Sequence, residues 1–314
     1  MPVYAALPSI TRELGIEQIG TFHDRQGSES SLTETGVLPA SWTRIWANQT
    51  SIGSYTGVDP HFSGTTSGVQ IGQDIHAGTS VSGQRNHYGF LLGFAHASGD
   101  ASGFALGVPA MQAGQDAIDA TTIGFYWTLI GANGWYADSV VMGSALSIKP
   151  SSNDGINAST HGRSVAGSIE AGLPFAWPGL MGLCIEPQAQ LIWQHLGIND
   201  FNDGVSTVAF DTPNSFAARL GVRASKQIEG WGATWEPFAR VSVWRYIGGA
   251  SQLTFAGTTT VPADTSATLG RVDAGVVVKV TTRGSVFANV NYAMNLNGAR
   301  RSSLGGDAGM RWRW

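Results

Sequence analysis

The chain has 314 residues, a net charge of −4 and no basic run, which argues against a nucleic-acid partner. Its single cysteine, Cys184, excludes an intramolecular disulfide. Charged residues make up only 13%, about half the usual share of a soluble protein. The 42 glycines and 11 tryptophans sit beside a mean hydropathy of −0.01. That combination suits a membrane β-barrel, where alternate residues face lipid and a polar interior. Met1-Pro2 opens no secretory signal, lacking a basic start and an apolar core. The signal of an exported protein is expected upstream, and the chain is read as a fragment of a longer precursor.

The first element is the one convincing helix, within PVYAALPSITRELGIEQIGTFHDRQ (2–26). Pro8 suits a first turn, and no further proline follows before Asp24. Leu7, Ile10 and Leu14 share one face, Ile16 and Ile19 another, with Arg12, Glu13, Glu17 and Gln18 between them. A helix with mixed faces asks for a mixed environment, and Gly15 and Gly20 each weaken it by about 1 kcal/mol relative to alanine. As one helix, residues 8–24 rise about 25 Å, roughly the height of the apolar band of an outer-membrane barrel. Residues 1–26 are therefore expected to plug a pore, and the polar stretch 27–40 to connect them to a barrel over 41–314.

Twelve strand-like segments follow, at 41–50, 66–77, 86–99, 120–130, 135–148, 162–173, 182–196, 215–224, 233–247, 267–280, 285–294 and 304–314. The uncharged run 120–137 has the length of a membrane helix, but Gly131-Ala-Asn-Gly134 divides it into two strands and a tight turn. Period two is the decisive pattern. Ile185, Pro187, Ala189, Leu191 and Trp193 oppose Glu186, Gln188, Gln190 and Gln194; Phe216, Ala218, Leu220 and Val222 oppose Arg219 and Arg223; Met310, Trp312 and Trp314 oppose Asp307, Arg311 and Arg313. A soluble sandwich also alternates. Charges of both signs deep in the strands and a broad aromatic apolar face instead predict a 12-stranded antiparallel transmembrane β-barrel, all-β apart from an α-helix in its lumen. Long connections at 51–65, 100–119, 149–161, 197–214, 248–266 and 295–303 alternate with shorter ones, which puts the long set outside the cell and Trp314 on the periplasmic side.

At these residues a family resemblance emerges. YAALPSITRELGIEQIGTFHDR (4–25), SWTRIW (41–46), GWYADSVV (134–141), IEPQAQLIWQ (185–194) and the terminal GMRWRW (309–314) together resemble the translocator β-barrel of bacterial autotransporters (type V secretion), most closely the pertactin-like adhesin branch. The resemblance spans essentially the whole chain. It implies an outer-membrane barrel of a Gram-negative bacterium that anchors an N-terminal passenger and helps export it. It further implies contacts with outer-membrane lipid and with the barrel-assembly machinery, the latter through Met310, Trp312 and Trp314, and a monomer. The terminal Trp departs from the more usual Phe. QLTFAGTTTV (252–261) looks like the hairpin that supports passenger passage in relatives. Passenger release by asparagine cyclisation within the visible helix is excluded, because no Asn precedes Asn48.

Candidate lumen and helix-docking residues are Arg12, Glu13, Glu17 and Gln18 on the helix. On the wall they are Arg44, Asp74, Asp138, Glu170, Glu186, Gln188, Gln190, Arg219, Arg223, Glu236, Arg240, Arg271, Asp273 and Arg311. Each could equally belong to a structural ion network with no role in transport. Trp127, Trp135, Trp193, Trp312 and Trp314 are expected at the membrane interfaces. Glycines 89, 93, 124, 172, 221 and 275 are expected to make room for the helix or to permit curvature. No HExxH, G-x-S-x-G or phosphate loop is present, so no catalytic residue, metal or cofactor is expected. His61, His161 and His195 near the exterior loops keep an outer-membrane hydrolase as a minor alternative, behind a 12-stranded diffusion channel. A channel, however, has no use for a pore-length helix.

Overall fold

The computed structural model describes residues 1–54, 57–177 and 182–314. Residues 55–56 of the first long connection and 178–181 before the seventh strand lie outside the described residues. Twelve long antiparallel strands form the wall: β1 (Ala40–Gly53), β2 (His61–Thr79), β3 (Arg85–Ala105), β4 (Val108–Ile130), β5 (Tyr136–Ser152) and β6 (Thr160–Gly172). They continue as β7 (Leu183–Ile198), β8 (Ser215–Lys226), β9 (Ala233–Gly248), β10 (Ala267–Lys279), β11 (Gly284–Gly298) and β12 (Arg301–Arg313). Each pairs with its sequence neighbours, and β12 closes on β1 from Arg301↔Ile52 to Arg313↔Ala40. Closure leaves no strand edge in lipid, where an unpaired backbone group would find no partner.

The alternation read from the sequence is realised inside out. Ile169, Leu220 and Val290 are 66%, 69% and 65% exposed, while their neighbours Glu170 and Arg219 are each 1% exposed. An aqueous core would have the reverse arrangement; lipid accounts for this one. Trp127, Trp193, Trp312 and Trp314 are on the outer surface. Trp135 sits half-buried in the turn before β5.

Two of the connections expected to be long are strand. Residues 100–119 continue β3 and β4 to a two-residue turn, Leu106-Gly107, with φ of 52° and 78°. Both positive values fit a primed hairpin turn, but leucine at the first position hides it from sequence reading. Likewise 295–303 shrinks to residues 299–300 between β11 and β12. The 197–214 and 248–266 connections instead contribute a separate four-stranded sheet, from residues 201–202, 207–211, 251–255 and 259–263. It lies over the long-loop rim, and the 252–261 hairpin is part of it.

The helix is inside the barrel, but not as one rod. α1 (Pro2–Ile19) stops at Gly20, and α2 (Phe22–Gln26) begins after Thr21. Gly20 has φ 57°, and a Cβ there would lie 2.4 Å from Arg44 Nη1. Only glycine satisfies both conditions. Thr21 and Asp24 then form a capping box, with Thr21 Oγ1 accepting from Asp24 N–H at 3.2 Å and Asp24 Oδ2 accepting from Thr21 N–H at 3.0 Å. The break converts one plug into two segments with different surroundings.

Candidate functional site: the plugged lumen

Along its first three turns α1 is gripped by apolar surface. Val3, Leu7, Ile10 and Leu14 are buried against Ala95, Ala97, Ile118, Leu146, Ile148 and Leu196 of the wall. The small alanines on β3 let the helix approach the sheet closely. The rim sheet closes the end: Val208, Leu253, Phe255 and Val261 join the same cluster. The Tyr4 ring meets Phe201 edge-on at 5.2 Å and stacks on Phe255 at 6.2 Å. Its hydroxyl donates to Asp203 Oδ2 at 2.9 Å.

Polar contacts take over in the second half. Arg12 does not meet a wall carboxylate; it donates to the carbonyls of Gly249 and Pro213 and to Ser251 Oγ. Glu13 pairs with Arg301 at 3.0 Å. Glu17 accepts from Asn48 at 3.0 Å and Thr66 at 2.8 Å. Gln18 accepts from Thr122 at 2.6 Å, while its backbone carbonyl accepts from Gln70 at 2.7 Å. Arg44 pairs with Asp307 and donates to the carbonyl of Glu17.

Around α2 the charges form a nearly complete collar. Glu170 accepts from Phe22 N–H, Tyr136 Oη and Arg219 at 2.8–2.9 Å. Placed on the first N–H of α2, this carboxylate also faces the positive end of the helix. Gln188 and Gln190 orient Arg219, and Gln190 also donates to the carbonyl of Gly20. Asp138 pairs with Arg25. His23 Nε2 lies 2.8 Å from Glu186 Oε1. Arg223 holds Glu236, which accepts from Ser28. Arg240 grips Asp273 with two nitrogens at 2.9 and 3.1 Å, then reaches Thr21 Oγ1 and Asp24. Arg271 completes that group through Asp273 at 2.9 Å. Arg311 joins Asp74, Glu34 and Gln26.

All the predicted wall residues thus point inward, and five of them, Asp138, Glu170, Glu186, Arg240 and Arg311, meet Thr21 to Gln26, whereas of the predicted wall residues only Arg44 bonds the Arg12 to Gln18 stretch. Reading 8–24 as one helix hid this. The signal was present: Thr21-Phe-His-Asp24 has the spacing of a capping box, which marks a new helix start. Arg301 escaped notice because the last strand begins three residues earlier than expected, at Arg301. The glycine expectation also changes. A Cβ on Gly89 or Gly172 would strike the inward rings of Tyr126 or Tyr136, and on Gly275 the backbone carbonyl of Ala288. These glycines make room for wall neighbours, and it is Gly15 of the helix that faces Gln194. His61 and His195 contact Ser51 and Asn214 and share no common site.

A space of about 130 Å³ lies at the rim beside Pro2, Val3 and Tyr4, but the middle of the helix is closely packed. The gap between α1 and β9–β12, lined by residues including Glu17, Arg44, Tyr246 and Asp307, has a volume of about 40 Å³. That is the scale of one or two water molecules. The molecule is thus a twelve-stranded outer-membrane-type wall, apolar outside and charged inside, with a helix in its bore. A family model described as the autotransporter beta-domain matches residues 41–291, most of the wall. The chain belongs to that family. It is an outer-membrane translocator barrel of the kind found in Gram-negative bacteria.

Structural comparison agrees on the fold. The transport unit of the autotransporter AIDA-I from Escherichia coli superposes with a TM-score of 0.79 at 15% identity, covering 99% of this chain and 97% of that one. The β-domain of the Bordetella autotransporter BrkA gives 0.66 at 22% identity, over 88% and 100%. The translocator domain of NalP from Neisseria meningitidis gives 0.60 at 14%, over 92% and 93%. In sequence, the probable autotransporter YcgV of E. coli K12 is 30% identical over 155 residues, 45% of this chain. That match spans 15% of YcgV's own length.

Proposed function

We propose that this translocator is captured in its resting state, with the linker helix docked to close the passage used during export. The carrying observation is the packing of α1 and α2 in the bore, which leaves a gap of about 40 Å³ beside residues 13–24. A passenger joined to the start of α1 would stand at the long-loop rim, outside the cell. The collar around Thr21 to Gln26 would hold the helix once transit ends. Inward charges engaged in docking support an anchoring and sealing role rather than a catalytic one. A diffusion channel is disfavoured by the same filled bore.

The barrel is read as a monomer. Met310, Trp312 and Trp314, all on the outer face of the final strand, are read as the signal met by the barrel-assembly machinery. Replacing Trp312 and Trp314 together with aspartate should lower the amount of folded barrel recovered from outer membranes; unchanged recovery would remove that role.

Single-channel conductance in planar bilayers tests the plug. The full chain should show low, flickering conductance, and a version lacking residues 1–26 should show large, steady openings. Equal large conductance in both would displace the helix from its sealing role and favour the channel reading.

A further inference from the structure

We propose that the collar contains a zinc site, formed by His23 and Glu29 of the linker and Glu186 of the wall, which clamps the docked linker to the barrel. One donor atom from each lies within 4.8 Å of the other two. The tautomer of His23 is fixed by its neighbours. Its Nδ1 is 2.8 Å from the carbonyl oxygen of Gly27, and a carbonyl can only accept, so Nδ1 carries the hydrogen. In a neutral ring, Nε2 is then an unprotonated lone pair. That lone pair faces a carboxylate oxygen, Glu186 Oε1, at 2.8 Å. Two lone pairs do not attract at that distance; a cation belongs between them.

The surroundings point to a metal ion. Glu29 Oε2 and Glu186 Oε2 are both sealed from solvent and have no hydrogen-bond partner. Arg223 Nη1 is 3.8 Å from Glu186 Oε2, beyond hydrogen-bonding reach, because its Nη2 is committed to Glu236 at 2.8 Å. An imidazole anchored through Nδ1–H to a backbone carbonyl is the second-layer arrangement that orients a metal-bound histidine. One nitrogen and two carboxylates, with the fourth position left to water, is a donor set that suits Zn²⁺. Bonds of about 2.0–2.2 Å place donor atoms of a tetrahedral site about 3.3 Å apart. His23 and Glu186 would open slightly, and Glu29, on the half-buried turn Glu29–Ser31, would close in. Gln188 donates to Glu186 Oε1 at 2.7 Å and steadies that carboxylate.

A second cluster, Glu34, Asp74 and His87, provides the contrast. There Arg311 donates to both carboxylates, so a guanidinium already supplies the positive charge. In the first cluster Arg223 stays 3.8 Å from Glu186 and donates no hydrogen bond to it. The proposed site rests on the docked position of the linker, and its own test is separate from conductance.

The experiment titrates Zn²⁺ into the purified full chain in detergent after chelation, by calorimetry and by thermal unfolding. One ion per barrel is expected, with a raised unfolding temperature. Affinity should fall at least tenfold in Glu29→Gln, disappear in His23→Gln and be unchanged in His87→Gln. Glu29→Gln carries the test if His23→Gln fails to fold. No binding to the full chain, or equal binding in all three variants, overturns the site. Stabilisation that follows pH alone and ignores zinc assigns the cation to a proton on His23 and overturns it equally.

Discussion

At the long-loop end of the bore, Val3 to Leu14 lie against alanine, isoleucine and leucine, and a rim sheet closes over Tyr4. At the short-turn end, Thr21 to Gln26 meet arginines and carboxylates from β5, β6, β7, β9 and β12. Both ends are buried, but they specify the docked state differently. Apolar contact is non-directional and tolerates small rotations of the helix. Buried charges tolerate nothing: a partner displaced by an ångström or two leaves an ion unpaired in a poorly solvated place. The upper segment therefore supplies affinity for the bore, and the lower segment sets depth and rotation. Gly20 lets the two be satisfied together, because it uncouples the direction of α2 from that of α1.

The sharpest way to break this division is at the collar. Arg240→Ala removes the arginine on Asp24 and one of the two arginines on Asp273, leaving Arg271, and losing one member of a buried ion group costs about 3–5 kcal/mol. Thermal unfolding in detergent should show a large destabilisation of the whole barrel, since Asp273 belongs to the wall. Behaviour like the parent would mean that Arg271 alone holds Asp273 and that water solvates Asp24.

Ile10→Ala comes next. Deleting a buried aliphatic side chain costs about 2–5 kcal/mol. Here the loss should loosen the upper plug, so bilayer recordings should show more frequent openings while urea unfolding of the wall changes less than in Arg240→Ala. If the two variants destabilise the wall equally, the ends are not separable.

Gly20→Ala tests the joint. A non-glycine residue at φ 57°, ψ −164° costs about 1–3 kcal/mol, and its Cβ must displace the Arg44 guanidinium. Raised conductance with an intact wall is expected; silence in the recordings would show that α1 and α2 can dock without the bend. The smallest effect is expected of Tyr4→Phe. It loses one partly exposed hydrogen bond to Asp203, about 0.5–1.5 kcal/mol, and keeps both ring contacts. Brief openings should become slightly more frequent, and a change as large as that of Ile10→Ala would transfer the grip from the apolar contacts to the hydroxyl.

Amino-acid order alone determined the wall. Side-chain alternation is a local property of extended chain, so Leu191 against Gln190 or Leu220 against Arg219 announces which face meets lipid without knowledge of any partner strand. The twelve strands and the inward charges were legible for that reason. Tertiary structure alone decided which charges meet. Asp24 reaches Arg240, and Glu13 reaches Arg301, across more than two hundred residues. Such pairings depend on strand tilt and on how deep the helix sits, neither of which leaves a periodic trace. The same holds at Leu106, where hairpin geometry overrides residue preference. It holds also for His23, Glu29 and Glu186, whose spacing along the chain resembles no metal motif. They meet because the closed barrel holds β7 alongside a linker that is bent in two at Gly20.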